Sequence, residues 1–262
     1  MENFTMPNTA VVFTCAHVDP NVSNERFDLL GKLIYDLRPD YVVDLGDGAD
    51  MKSLNSYDTK YPQAIVSQNY EEDINHYNEA QDRLRIKFKE MKRKRPKYYG
   101  LEGNHENRIK KAISLDPRLE GSKYGISFKH LQTDHYFDEY HEYRNSGPSI
   151  FNKDGVSYAH YLSSGNFGTA MSGMHHAYGM LNKRHHSITV GHSHKRSIFF
   201  KDDSYPNPTI GLVAGCFKGA EEAWAGQANL DWWKGVVIKR NVDQGYYDPE
   251  FVSLERLKAY YK

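Results

Sequence analysis

Short apolar runs that end abruptly in polar turns alternate along this chain with stretches of helical spacing. Residues 9–15 are β-branched or apolar and run straight into His17, which predicts a strand followed by a polar loop. From Asn24 the apolar positions Phe27, Leu30, Leu33, Ile34 and Leu37 recur every three or four residues until Pro39, so a helix is expected there. Residues 41–45 predict a second short buried strand, ending at Gly46 and Asp47. The longest predicted helix spans 69–95, with Ile74, Tyr77, Leu84, Phe88 and Met91 on one stripe, an acidic start, a basic end and Pro96 as its stop. Residues 97–101 repeat the design of strand and polar turn, leading to Gly103 and Asn104.

Residues 116–143 are irregular and polar, and predict an insertion or cap over a site. Asp154-Gly155 signals a hairpin between 149–152 and 156–160. A helix over 167–183, a strand over 187–190 and a polar turn over 191–194 follow, with further strands at 198–201, 209–216 and 235–240. Strands alternating with helices, with polar residues at strand ends, predict a layered α/β fold. The expected organisation is one domain over 1–262, with the cap around 116–145.

Composition removes several alternatives. Lys plus Arg and Asp plus Glu number 34 each in 262 residues, so bulk charge favours neither nucleic acid, membrane nor an acidic partner. No apolar run approaches the roughly 20 residues that span a bilayer, and the opening residues lack a signal-peptide pattern. A cytoplasmic protein with no membrane partner is expected. Cys15 and Cys216, the only cysteines, build no disulfide framework.

The thirteen histidines are more informative, because several sit in tight patterns at predicted strand ends. Five clusters stand there: Cys15-Ala16-His17, Gly46-Asp47-Gly48-Ala49-Asp50, Gly103-Asn104-His105-Glu106, His160, and Gly191-His192-Ser193-His194. Two metal ions about 3.5–4 Å apart need a bridging carboxylate and terminal nitrogen and oxygen donors, and this inventory suffices. The order of these clusters resembles the calcineurin-like metallophosphoesterases, whose pattern runs Asp-x-His, Gly-Asp-x-x-Asp, Gly-Asn-His-Glu or Asp, His, Gly-His-x-His. The resemblance covers residues 9–196. It implies a four-layer αββα sandwich of two mixed sheets flanked by helices, two divalent metal ions (manganese, zinc or iron) and hydrolysis of a phosphoester by metal-activated water. Carried over by position, Asp47 bridges the ions, His17 and His194 bind the first, and Asn104, His160 and His192 complete the second. His105 matches the catalytic histidine, Asp50 the carboxylate that orients it, and Arg108, one turn on, is placed to reach a substrate phosphate or to lie exposed on its helix.

One position departs from the pattern. Cys15 stands where the family has aspartate, and two readings follow: a thiolate ligand favouring zinc or ferrous iron, or a small buried side chain beside a weaker first site. His160 likewise reads as ligand or as ordinary strand histidine, while His130, His135, His141, His175, His176, His185 and His186 match no family position. Asp50 is followed by Met51-Lys52 rather than Arg-Gly, which argues against the protein serine/threonine phosphatases and the dinucleoside polyphosphate hydrolases. Trp232-Trp233-Lys234-Gly235 and the closing Tyr246-Tyr247-Asp248 resemble phosphoesterases encoded by bacteriophages and described as nuclease-like, which would place the protein in host cytoplasm. A phosphodiester substrate, DNA or nucleotide, is therefore expected, with a phosphomonoesterase or a noncatalytic scaffold of the same fold as alternatives. Residues 83–97 hold nine basic side chains and one acid, Glu90, and read either as a phosphate-backbone contact or as a solvated helix end complementing the helix dipole. Trp224, Trp232, Trp233, Tyr246 and Tyr247 read as base-stacking surface or as sheet core.

Overall fold

The computed structural model describes residues 7–55, 68–92, 94–121, 123–144, 147–165, 168–202 and 208–261. Strands β1 (Asn8–Phe13), β2 (Tyr41–Asp44), β3 (Lys97–Leu101) and β4 (Glu139–His141) run parallel to one another. Later in the chain come β5 (Phe151–Lys153), β6 (Val156–Ala159), the small pair β7 (Ser163–Ser164) and β8 (Thr169–Ala170), then β9 (Ile188–Val190), β10 (Arg196–Lys201) and β11 (Thr209–Ala214). Strands β12 (Gly235–Asp243) and β13 (Tyr246–Ser253) complete the set. The protein is α/β, with a mixed six-stranded sheet ordered β13-β12-β1-β2-β3-β4 and a mixed five-stranded sheet ordered β10-β11-β9-β6-β5.

Period-two alternation decides which core each side chain enters. Ala10, Val12, Tyr41, Val43 and Val237 of the six-stranded sheet share one cluster with Val156, Tyr158, Ile210 and Leu212 of the five-stranded sheet. Val11, Phe13, Val42, Val236 and Ile238, pointing the other way, pack with helices α1 (Glu25–Leu37), α2 (Tyr70–Glu90) and, after a third helix α3 (Asn107–Leu115) and a fourth, α4 (Thr133–Tyr136), with the C-terminal helix given below. Helix α5 (His176–Arg184) covers the outward residues of the second sheet, Ala159, Ile188, Val190 and Val213. Helix α6 (Leu254–Tyr261) places Leu254 and Leu257 in the first of these helical cores. Strands buried on both faces read as continuous apolar runs, which is why their sequences do not alternate.

Most predicted elements stand within a few residues of their expected limits, and the exceptions have physical causes. Helix α2 ends at Glu90, five residues early: Met91 turns into the core and Lys94 takes a left-handed φ of 54°, while Arg93 lies outside the described residues. The expected helix over 167–183 begins only at His176, because Gly168 and Gly173 adopt φ of 73° and 101° and β8 pairs with β7; Phe167 lies outside the described residues. Residues 117–119 and 128–131 form 3-10 turns, and β4 then joins the edge of the six-stranded sheet, so part of the segment expected as a cap is sheet. Asp154 and Gly155 (φ 52° and 78°) make the predicted two-residue hairpin turn of the type that matches strand twist. Among the described residues no helix is long and apolar enough to cross a membrane.

Candidate metal centre

Parallel strands deliver their following loops to one edge of a sheet, and the candidate ligands singled out in the sequence, with His105 and Asp50, lie on such loops, while Arg108 lies in the first turn of α3. Cys15 and His17 follow β1, Asp47 and Asp50 follow β2, Asn104 and His105 follow β3, His160 follows β6, and His192 and His194 follow β9. The two sheets are laced there: the His160 ring donates to Leu45 O at 2.9 Å, Gly191 N donates to His160 O at 3.0 Å, and His192 N donates to Cys15 Sγ at 3.1 Å. Close approach needs glycine. A Cβ on Gly103 would lie 2.2 Å from Asp47 N, and one on Gly191 would lie 2.0 Å from Thr14 Oγ1.

The backbone is strained where the donors are. Cys15, His17, Asp47, His192 and His194 have φ of 49°, 42°, 54°, 64° and 59°, a left-handed region that non-glycine residues rarely occupy. Such conformations cost about 1–3 kcal/mol each and persist when surrounding structure imposes them, typically at ligand clamps.

Ring tautomers follow from the partners. His17 Nδ1 stands 3.0 Å from Asp50 Oδ1, His105 Nδ1 stands 2.8 Å from both Asp50 O and Asp50 Oδ1, and His160 Nδ1 faces Leu45 O. Each of these nitrogens meets only acceptors, so each carries the proton, and Nε2 turns a lone pair inward. The lone pair of His160 Nε2 then meets Asn104 Oδ1 at 3.0 Å, Asp47 Oδ2 at 3.1 Å and His192 Nδ1 at 3.2 Å. His17 Nε2 similarly faces His194 Nε2 at 3.0 Å and Asp47 Oδ2 at 3.8 Å. Acceptors converging on acceptors repel unless a cation or a proton lies among them. This donor set fits divalent metal ions: imidazole nitrogens, a carboxylate and an amide oxygen, with the His17 and His160 rings oriented by acceptors on their far nitrogens. Cys15, His17 and His194 form one group that could hold an ion, Cys15, Asp47 and His160 a second, and His17, Asp47 and His105 a third.

Electrostatics agree with that arrangement. Burial, with Lys218 and His105 nearby, pushes His17 down to about 3, and burial with His17 and Lys218 nearby pushes His194 down to about 2. Burial and then His160 push His192 down to about 4. These rings are neutral at pH 7, the form that binds metal. His160 is moved the opposite way, since the Asp47 carboxylate outweighs its burial. Asp47 and Asp50 are held well below the usual carboxylate range despite burial, Asp47 by His160 and His105 and Asp50 by its bonds to His105 and His17. Burial and the nearby Asp47 push the Cys15 thiol well above its ordinary range, a logic that a bound cation inverts.

Arg108 is committed to the site's own frame. Its guanidinium donates to Asp50 O at 2.9 Å and Met51 O at 3.2 Å, and to His105 Nε2 at 3.3 Å. Glu106, quoted in the motif without a role, accepts from Asp47 N (3.0 Å), Ala49 N (2.9 Å) and Gly103 N (2.9 Å), and burial with Asp47 nearby lifts it to about 7. Lys218, buried and paired with Glu222 at 2.6 Å, had no sequence signal beyond the polar end of an apolar run. The basic run lies elsewhere: Lys97 opens β3 at the end opposite Asn104, and Arg83, Lys87, Lys94 and Arg95 pair with Asp28, Glu90, Asp40 and Asp138. Among the other histidines, His176 is buried beside Ser193, its Nδ1 3.4 Å from the hydroxyl. No known family model matches this sequence, and no curated protein does.

Proposed function

We infer that this chain hydrolyses phosphodiester bonds with two divalent metal ions as cofactors, in the manner of the calcineurin-like metallophosphoesterases that its motifs resemble, on a four-layer αββα sandwich. The observation that carries the reading is the convergence of metal-ligating atoms about Asp47, with His17 Nε2 and His194 Nε2 on one side and His160 Nε2, Asn104 Oδ1 and His192 Nδ1 on the other. Asp47, His17, His194 and Cys15 would hold the first ion, and Asp47, Asn104, His160 and His192 the second. Bound there, such a pair supplies Lewis acidity toward a phosphoryl oxygen and lowers the pKa of water. The thiol makes the first position softer, toward zinc or ferrous iron rather than manganese.

The chain's own residues supply the rest. Asp50 fixes the His105 ring through Nδ1, leaving Nε2 toward the centre, 4.0 Å from Asp47 Oδ2. On this reading the Nε2 lone pair of His105 first takes up a proton from solvent, making the ring an imidazolium, and as water adds to phosphorus and the leaving oxygen departs that proton passes to the oxygen. Arg108, beside Nε2, positions the ring and offers positive charge to the phosphate. The substrate on this reading is a nucleic acid or nucleotide diester.

A metal-by-substrate screen tests it, using manganese, zinc and ferrous iron against a chromogenic phosphodiester, a phosphomonoester, and single- and double-stranded DNA. Diester or DNA hydrolysis outpacing the monoester is expected. Faster monoester turnover would make the protein a phosphomonoesterase. Metal uptake without turnover of any substrate would make it a noncatalytic metal-binding scaffold.

A further inference from the structure

An aromatic ledge that the core does not require stands beside the metal centre. Residues Ala223–Asp231 form two 3-10 turns after β11, kinked at Gly226, that bury none of their side chains, and Trp224 is 77% exposed. An indole is normally at least partly withdrawn from water, because it carries a large apolar surface. Trp224 lies 5.9 Å from Trp232, ring centre to ring centre, and Trp232 lies 4.5 Å from His194. A row of rings thus runs outward from a candidate metal ligand to solvent. The next residue shows the contrast: Trp233 packs on Phe251 at 5.4 Å, against the core between the sheets.

The ledge is held in place. Asn229 accepts from Glu222 N at 3.0 Å and donates to Glu222 O at 2.8 Å and Gly226 O at 3.0 Å. Glu222 ties it to the centre through Lys218 at 2.6 Å and Lys52 at 3.5 Å, and Lys52 lies 3.6 Å from Asp50. Because both lysines are matched by carboxylates, the ledge presents aromatic faces, with its two indoles tilted 58° to one another, rather than an anion pocket.

We propose that Trp224 and Trp232 form a stacking subsite for a nucleobase joined to the scissile phosphodiester, which makes the substrate a nucleotide-bearing diester. This rests on the phosphoesterase reading above. Any base offers a π face, so such a ledge tolerates sequence, and stacking on one aromatic side chain strengthens binding by roughly tenfold.

The test compares two diesters with the same leaving group, the p-nitrophenyl ester of thymidine monophosphate and methyl p-nitrophenyl phosphate. Wild type should favour the thymidine ester in kcat/KM, W224A should reduce that preference roughly tenfold, and W224F should keep most of it. Thymidine monophosphate added to the metal-loaded protein should quench indole fluorescence in wild type and much less in W224A. A preference unchanged in W224A, or absent in wild type, overturns the subsite. Hydrolysis of neither ester with any metal overturns the phosphoesterase reading instead, and the fluorescence titration then decides the subsite alone: quenching that W224A loses supports it, and no quenching overturns it. Oligothymidylate and a dinucleotide, used as competitors, separate the two sources of the base, since a marked advantage of the longer strand assigns the ledge to nucleic acid and equal competition assigns it to nucleotides.

Discussion

His105 is held from both sides, by Asp50 at Nδ1 and Arg108 at Nε2, yet it stands outside the tightest knot of donors around Asp47. His105→Ala is therefore expected to keep its metal content while losing about a hundredfold or more in kcat. Metal analysis beside turnover of a chromogenic diester checks this, and wild-type turnover would remove His105 from the reaction. Cys15 carries a different expectation. Its sulfur accepts the His192 N–H and groups with His17 and His194, as a ligand would. Cys15→Ala should lose one ion selectively, and Cys15→Asp should recover it with a preference shifted toward manganese. Cobalt loading gives a readout independent of turnover: a near-ultraviolet sulfur-to-metal charge-transfer band in wild type, missing in both variants. Equal stoichiometry and spectra in all three proteins would leave Cys15 as packing.

The centre is assembled from loops of two sheets, and Glu106 fastens the loop after β2 to the loop after β3. Three backbone N–H groups converge on its carboxylate, and a glutamine there would turn an amide N–H toward at least one of them. Glu106→Gln is expected to weaken metal binding by about ten- to a hundredfold, as loss of an outer partner of a ligand typically does. Competition against a chelator measures this, and unchanged affinity would show that the loops hold themselves. At this scale the sequence was most legible where both faces of a strand are buried: β1, β2 and β3 stand out as apolar runs stopped by polar motifs. It was least legible at the chain's end. Strand β13 is an edge strand with Pro249 and an exposed polar face, so its apolar signal is weak and only Tyr246-Tyr247-Asp248 drew notice. Glycine at three positions between 165 and 173 likewise defeated the helix expected there, because left-handed turns replaced it. The candidate donors were readable because a metal site needs particular residue types at strand ends. The roles of Glu106 and Lys218 were not, because what they do depends on which loop the fold sets against them, and for Trp232 the sequence left stacking surface and sheet core both open.

Across the whole molecule, the core shared by the two sheets is mostly apolar, and a lysine is buried in it beside a threonine and tyrosine hydroxyls. Lys239 on β12 is fully buried, its Nζ 2.6 Å from Thr189 Oγ1 on β9 and 3.4 Å from Tyr158 OH on β6, with the Tyr247 and Tyr158 rings 4.0 Å and 4.4 Å away. The rings favour an ammonium by about 2 kcal/mol, whereas burying an unpaired charge costs several kcal/mol, so burial wins. Burial accordingly holds the amine well below its ordinary range. In the unfolded chain the same lysine titrates near 10.4. Between the lowered folded value and that point, unfolding takes up a proton, so stability rises with pH, by up to about 1.4 kcal/mol per pH unit from this group. Lys239→Met removes that proton uptake. It also leaves Thr189 Oγ1 without its partner, at a cost of about 1–3 kcal/mol, so the absolute change in stability is a poor guide. The slope is the diagnostic: in urea unfolding across mildly alkaline pH, the variant's advantage over wild type should shrink, or its deficit grow, as pH rises. Parallel curves for the two proteins would mean that Lys239 stays charged between the sheets, with the tyrosine rings and Thr189 outweighing its burial.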